Sequence, residues 1–438
     1  MKILLVNPII REWAKPNCFP TGLGYIAAIL KNEGYDIDIF DFNASRASMD
    51  EFCDYFINGH YDVVGITGII TQYGQVREIA KTIESIDPNT KVICGGTLAS
   101  SVPELLINRA GVDCCIIGEG ERAVADIIKD IAHGRIFPNI HKAESLIYDL
   151  DILPFPAYKL WGSNMDVYLN NPIGPFNKRK WIDGGISEEY TPRSINIIGG
   201  RGCPFACNYC YHNFLGDKYR VRIAIDIINE MVFLASTYIV DYFHFTDDAF
   251  ACIEKKVLDF CNKVWRTGYS WSCTGRANLM TKDMAFQMSQ AGCVGVWYGL
   301  ESGSQEMLDR MNKKATISQY RKVIEINRKY FEYEDYTFIV GTPGETDETV
   351  NESIQFCKEM EITPSAVFFM TPYPGTPLWH ELVMTGRIVP EDLNWLEDYV
   401  LGLDEQGKIM AMNLTDYEDQ KVIDWHDKFI DETGAMNK

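Results

Sequence analysis

Short apolar runs alternate with stretches of helical periodicity along almost the whole chain, and the alternation changes character twice. In the first third, apolar runs at Lys2–Val6, Asp36–Phe40, Val63–Thr67, Lys91–Cys94 and Cys114–Ile117 read as strands. Between them, apolar positions recur three and four apart over 22–33, 74–86, 102–108 and 121–133, the mark of amphipathic helices. Strand–helix alternation at this spacing predicts an α/β fold with a doubly wound, Rossmann-like parallel sheet over 1–141. A second alternation begins at Ser194. Its strands are expected at 194–198, 241–245, 269–273, 294–299, 335–340 and 366–370, with helices at 222–237, 253–267, 282–291, 304–310, 317–330 and 347–361. Six such units closing partway round predict a partial (β/α)6 TIM-like barrel over 194–384. The linker, 142–193, holds Leu153-Pro154-Phe155-Pro156-Ala157-Tyr158 and then an irregular Asn/Gly/Pro-rich stretch, 164–192, expected to help cover an active site. A short, mostly helical C-terminal extension, 385–438, completes the chain.

Ligands of such sheets bind beyond the carboxyl ends of the strands. In the first domain those ends carry Asn7-Pro8, Asp41-Phe42-Asn43, Gly65-Ile66-Thr67-Gly68, Gly95-Gly96-Thr97 and Gly118-Glu119-Gly120-Glu121. Glycines admit close backbone approach and threonines supply hydroxyls. One such loop is ordinary turn chemistry; five at one sheet edge suggest a ligand. In the second domain the strand ends carry Thr246-Asp247-Asp248, Ser272 and Arg276, then Glu301, then Gly341. The paired carboxylates could receive an ammonium group or, equally, cap a helix. Arg276 is the expected ion-pair partner of Glu301. Trp297, Tyr298 and Tyr373 are either core or a hint of a bulky organic ligand.

The densest chemistry lies in the run Arg201-Gly202-Cys203-Pro204-Phe205-Ala206-Cys207-Asn208-Tyr209-Cys210. It places three thiols on one loop directly after a predicted strand, and Gly202 and Pro204 favour a turn that lets them converge. A four-iron cluster takes four thiolates. Three leave one iron open, as a catalytic metal site requires. The rival is zinc completed by His212, but no second ligand pair lies near.

Composition narrows the partners. The formal net charge of −20 over 438 residues argues against nucleic acid and against anionic membranes. No run reaches the roughly 18 apolar residues of a membrane span. The N-terminus, Met1-Lys2-Ile3-Leu4-Leu5-Val6, lacks the features of a signal peptide. Thirteen cysteines, an odd number, several of them (Cys94, Cys114, Cys115) inside apolar runs, do not suggest a disulfide framework. A cytoplasmic, reduced and oxygen-sensitive protein is expected.

The three-cysteine spacing, with Tyr209 in the aromatic position before the last cysteine, resembles the hallmark of the radical S-adenosylmethionine (SAM) superfamily. The first domain resembles the cobalamin-binding domain preceding many such cores, in Pro20-Thr21-Gly22-Leu23-Gly24-Tyr25, Val63 to Tyr73, Lys91 to Ser100 and Cys114 to Glu121. The Asp-x-His-x-x-Gly cobalt-ligand motif of other cobalamin proteins is missing: His60 precedes its strand, and Leu98 stands where this branch often has His in its glycine loop. The resemblance extends over about residues 1–380. It implies a 4Fe–4S cluster on Cys203, Cys207 and Cys210, and SAM held near Tyr209, Thr246, Asp247, Asp248, Ser272, Arg276, Glu301 and Gly341. It implies cobalamin near Asn7, Thr21, Gly22, Thr67, Thr71, Gly95, Gly96, Gly118, Glu119 and Gly120. The implied reaction is reductive cleavage of SAM to methionine and a 5′-deoxyadenosyl radical, hydrogen abstraction from an unactivated carbon of a small molecule, and transfer of a methyl group from methylcobalamin, which a second SAM regenerates. An electron donor such as flavodoxin or ferredoxin is the implied partner. Two alternatives are a non-methylating cyclase or oxidoreductase of the same branch, similar to the anaerobic Mg-protoporphyrin ester cyclases, and a non-catalytic iron–sulfur or zinc redox sensor.

Overall fold

The computed structural model of the chain describes residues 1–438 apart from 144, 174–178, 181–188, 191, 212–218, 405–406 and 436–438, and apart from the side chains of 179–180 and 189–190. The chain gathers into two compact units, one of residues 1–196 and 389–405 and one of most of the remainder.

In the first unit, the strands are β1 (Lys2–Asn7), β2 (Asp36–Asp41), β3 (Val63–Thr67), β4 (Lys91–Gly95), β5 (Cys114–Ile117) and β6 (Ile140–Lys142). They alternate with α1 (Thr21–Asn32), α2 (Met49–Gly59), α3 (Tyr73–Ile86), α4 (Pro103–Arg109) and α5 (Gly120–Ala132). The sheet is parallel throughout and runs β2-β1-β3-β4-β5-β6. Ile3 to Val6, Cys94, Cys114 and Cys115 are almost wholly buried, since helices cover both faces of such a sheet. Strand order reverses beside β1, so the connections leaving β1 and β3 diverge and open a crevice at their carboxyl ends. Strand β6 and helix α2 were not anticipated. Three residues, Ile140-His141-Lys142, are too few to show a period. Helix α2 had a readable signal, the capping box of Ser48 and Glu51.

The stretch expected to be irregular after residue 164 begins instead with a helix, Asn164–Leu169, following a single turn at Tyr158–Trp161. Trp161, Met165, Tyr168 and Leu169 are buried. Trp161 Nε1 and Tyr168 OH each donate to Asp41 Oδ2 at 2.7 Å, and Asn7 Nδ2 donates to Asp41 Oδ1 at 2.9 Å. Burial pushes the Asp41 carboxyl up, and these donors oppose the shift. Most of 174–191, where the cover was expected, lies outside the described residues; Arg179–Lys180 and Glu189–Tyr190 pair antiparallel.

The second six-stranded sheet is made of β7 (Ser194–Ile197), β8 (Tyr242–Phe245), β9 (Ser270–Thr274), β10 (Cys293–Glu301), β11 (Tyr333–Val340) and β12 (Ala366–Phe369), all but the first three residues of β7 in the second unit. They lie in sequence order, and the pairings from β8 to β12 are parallel. Every connection therefore steps the same way, and the sheet curls into a half-barrel. Outward side chains Phe245, Phe250, Phe260 and Trp271 pack ring against ring under the helices, with centroids 4.2–5.8 Å apart. Inward positions alternate with them and carry Tyr242, His244, Ser272, Thr274 and Trp297. Of the C-terminal segment, Leu393–Leu401 is helical in the first unit and Asp419–Thr433 in the second. Among the described residues no helix is long and apolar enough to cross a membrane.

One buried ion cluster supports the first turn of this unit. Arg222 Nη1 donates to Glu230 Oε2 and Nη2 to Asp226 Oδ2, both at 2.5 Å, and Glu230 is only 1% exposed. Replacing Arg222 by Met removes its ion pair with the buried Glu230 carboxylate, which costs up to about 3–5 kcal/mol. The expected result is a lower urea midpoint for the second unit, with most of the loss recovered in the double variant Arg222→Met, Glu230→Met.

Candidate functional site

The cysteine loop leaves the carboxyl end of β7, where barrel enzymes place their chemistry. Gly202 turns the chain with φ +87°, a left-handed conformation that suits glycine. The loop is then pinned along one side by the turn at 310–313. Asn208 N donates to Met311 O at 3.1 Å, Asn208 Nδ2 to Arg310 O at 3.0 Å, and Asn312 Nδ2 to Ala206 O. Along the other side, the Arg276 guanidinium sits 3.7 Å over the Phe205 ring and its Nη1 donates to Cys207 Sγ at 3.4 Å.

Cys203, Cys207 and Cys210 line a cleft of about 320 Å³ together with Tyr209, Asp248 and Arg276. Burial pushes the Cys203 thiol up; the thiol of Cys210, a residue exposed at its surface, is raised as well, and the neighbouring cysteines add to that shift. Cys203 and Cys210 thus favour the protonated thiol while the loop is empty; iron, which binds thiolate, would reverse that preference. Among the described residues no three His, Cys, Asp or Glu side chains gather round a single point as ligands to one ion do. A cluster does not require this, since each thiolate takes its own iron. The residues present thus fit a polynuclear cluster. His212, the rival zinc ligand, lies outside the described residues.

Glu301 ends β10 with φ +68°, an uncommon conformation for a residue with a side chain, and the register with β11 slips between Gly299 and Glu301. The slip aims the carboxylate back over its own strand. A Cβ at position 299 would lie 2.1 Å from Glu301 Oε1, so the sequence Tyr298-Gly299-Leu300-Glu301 needs its glycine. The expected Glu301–Arg276 pair does not form. Arg276 is committed to the cysteine loop and to the Lys313 carbonyl, and Lys313 Nζ takes its place, 2.8 Å from Glu301 Oε1. Tyr209 OH joins the pair, donating to Glu301 at 3.0 Å and accepting from Lys313 at 3.1 Å. Lys313 had escaped the sequence reading because it follows a helix rather than a strand.

Three other expected SAM contacts are placed differently. Asp247 is 3% exposed and accepts from Gly199 N at 2.9 Å and Tyr219 OH at 2.7 Å, a structural post beside the cleft; its neighbour Asp248 faces the cleft. Ser272 is wholly buried between Tyr242 OH and His244 Nδ1, two residues short of the strand end, where Thr274 lines the cleft instead. Gly341, at φ +89°, spends its N–H on Glu345 Oε2, and its own Cβ position is crowded by Val422. Thr246 N donates to Ile197 O.

At the carboxyl edge of the first unit's sheet, Gly22 and Gly95 have open space where a Cβ would stand, and Thr71 Oγ1 is buried without a partner. Gly96 and Gly118 turn with φ +84° and +93°. A cradle with an unsatisfied hydroxyl fits a large ligand approaching the backbone. Asn7, Thr21, Thr67, Gly120 and Glu119 lie at the same edge, but Asn7 is held by Asp41, Thr21 Oγ1 donates to Phe19 O at 3.3 Å, and Glu119 accepts from Ile147 N at 2.6 Å. Leu98 is buried, its side chain against Gly68.

Comparison with known proteins agrees with both halves. The B12 binding domain family matches residues 9–128 and the Radical SAM superfamily matches residues 197–357. An uncharacterized methyltransferase of Pyrococcus horikoshii is 27% identical over 416 residues, covering 90% of this chain and 85% of its own. The anaerobic magnesium-protoporphyrin IX monomethyl ester cyclase of Rubrivivax gelatinosus is 24% identical, covering 87% of this chain and 70% of its own. Among solved structures, the radical SAM methyltransferase TsrM of Kitasatospora setae, with cobalamin and a 4Fe–4S cluster bound, is similar in fold with a TM-score of 0.69 at 19% identity, over 88% of this chain and 75% of that one. The cobalamin-dependent radical enzyme OxsB gives 0.68 at 15%, over 88% and 56%. This chain is a radical SAM enzyme with a B12-binding domain ahead of its radical SAM domain.

Glu345, which accepts from Gly341 N and Thr342 N, makes a pH prediction. Burial raises its carboxyl to about 7 against those donors. A carboxyl raised on folding stabilises the fold while protonated, so its contribution is whole below about pH 4 and is lost as pH rises to about 7. The loss is at most about 3 kcal/mol. Glu345→Gln should remove that part of the pH dependence, read as a smaller change in urea midpoint between pH 5 and pH 7.5 than in wild type.

Proposed function

We propose that this protein is a cobalamin-dependent radical SAM methyltransferase that methylates an unactivated carbon of a small molecule. The observation carrying the proposal is the pairing of a three-cysteine cleft at one barrel mouth with an open, glycine-lined sheet edge in a B12-binding domain. When bound, the cluster supplies the electron that cleaves SAM and the corrinoid supplies the methyl group.

The chain's own residues hold, orient and shield. Cys203, Cys207 and Cys210 hold the cluster, and Arg276 steadies the charge on Cys207. Asp248, with Thr246 beside it, suits the SAM amino group, and Arg276 suits its carboxylate. The Glu301–Lys313–Tyr209 triad fixes the loop's last turn, so that Cys210 keeps its place. Gly22, Gly95, Gly96, Gly118 and the Thr71 hydroxyl receive the corrinoid. Leu98, buried where the branch often carries histidine, leaves the cobalt without that side chain as a ligand. A flavodoxin or ferredoxin supplies electrons in the reduced cytoplasm this reading requires.

Protein purified anaerobically from cobalamin-fed cells should carry about four irons per chain and a corrinoid. Replacing Cys203, Cys207 and Cys210 together by Ala should abolish the iron; a full cluster in that variant overturns the assignment. Gly95→Leu enters open space at an extended φ of −130°, so it should fold as wild type and keep its iron while losing corrinoid. Iron without corrinoid in the wild type would instead favour the cyclase or oxidase chemistry that the Rubrivivax relative's name describes. Anaerobic reduction with SAM should release 5′-deoxyadenosine in either case.

A further inference from the structure

Below the cluster end, the cleft has a second chemistry that the cofactors do not use. Cross-strand register places Thr274, Trp297 and Asp335 side by side on β9, β10 and β11, and all three line the cleft. Trp297 precedes Glu301 by four residues, so on β10 it lies on the order of 10 Å below that strand's end, while Thr274 is itself the last residue of β9. The Asp335 carboxylate accepts from Ser365 Oγ at 2.5 Å. Among the described residues it has no Lys, Arg or His partner, whereas Glu301, the other carboxylate of β10 and β11 in the cleft, has Lys313. Asp335 is half-buried, and desolvation raises its carboxyl against the help of Ser365. The Trp297 ring beside it is backed by the His244 imidazole at 4.3 Å, and burial lowers His244 to about 3, so the backing is uncharged.

We propose that this row is the substrate subsite and that the substrate presents an organic cation, an alkyl- or arylalkylammonium, seated between the Asp335 carboxylate and the Trp297 ring. A carboxylate without a cation supplies the charge, and an indole face supplies cation–π attraction and room for a flat or branched apolar body. Asp335 stands two strands across from β9, about 10 Å from the strand end where Asp248 and Arg276 lie beside Thr274. The inference rests on reading the cleft as the reaction chamber, yet its test is a binding measurement that needs no turnover.

The probes are phenethylamine and its uncharged counterpart 2-phenylethanol, titrated at pH 7 into anaerobic, cluster-loaded protein by calorimetry, with SAM affinity measured in parallel. Wild type should bind the amine at least about tenfold more tightly than the alcohol, the difference a charge-assisted hydrogen bond provides. Asp335→Asn should erase that preference and leave SAM affinity within about twofold. Trp297→Leu should weaken both probes. Equal binding of amine and alcohol by wild type overturns the proposal, and so does a loss of SAM affinity in Asp335→Asn as large as the loss for the amine. Iron and corrinoid contents of the same preparations report the cofactor reading separately, so either conclusion can fail while the other stands.

Discussion

The Arg276 guanidinium lies flat on the Phe205 ring and donates to the Cys207 sulfur, and the arrangement around the cysteine loop follows from that contact. Three sulfurs must become thiolates in a cleft whose burial opposes charge. The fixed Arg276 cation lowers that opposition at Cys203 and anchors the loop as well. Because Arg276 is spent there, Glu301 needs another partner. It finds Lys313 only because the turn at 310–313 is itself sewn to the loop through Asn208 and Asn312. Loop, arginine, turn and glutamate thus form one closed circuit, in which removing a member leaves a buried charge or an unpaired carbonyl.

The two sheets solve different problems with the same βα unit. In the first, the reversal of strand order beside β1 opens a crevice, and glycines keep its rim low enough for a broad ligand to reach the backbone. In the second, sequential order curls the sheet, so that alternate side chains point into a shared interior instead of under helices. That interior is stratified. Tyr242, His244 and Ser272 form a closed polar layer at the bottom, Trp297 and Asp335 an open one above it, and the cysteines with Glu301 the rim. The strained Glu301 backbone, with Gly299 leaving room for its carboxylate, is what turns an ordinary strand end into part of the rim.

Most strands and helices were legible because their signal is local. Val63–Thr67, Cys114–Ile117 and Ile317–Tyr330 have the expected bounds, since an apolar run or a helical period is written into neighbouring residues. The misses have particular causes. Strand β6 is three residues long and owes its existence to an edge supplied by β5. The helix at Asn164–Leu169 buries Met165, Tyr168 and Leu169, and Tyr168 binds Asp41, a partner more than a hundred residues away. Asp247 and Ser272 show a different limit: Asp247 turns to Gly199 and Tyr219, and Ser272 lies two residues below Thr274 on the same inward face, covered by Tyr242 and His244, contacts between segments that no local pattern records.

From the sequence alone came the order of βα units, the three-thiol loop, the glycine-lined strand ends and the kinship with cobalamin-dependent radical SAM enzymes. These are properties of spacing and residue type, and both survive any detail of packing. Only the tertiary structure decided which cation meets which anion. Glu301 pairs with Lys313 and not Arg276, Asp247 holds Gly199 while Asp248 faces the cleft, and Asp335 lines the cleft with no counter-charge among the described residues. Such pairings depend on distances of a few ångströms between residues far apart in the chain, and no local period encodes them.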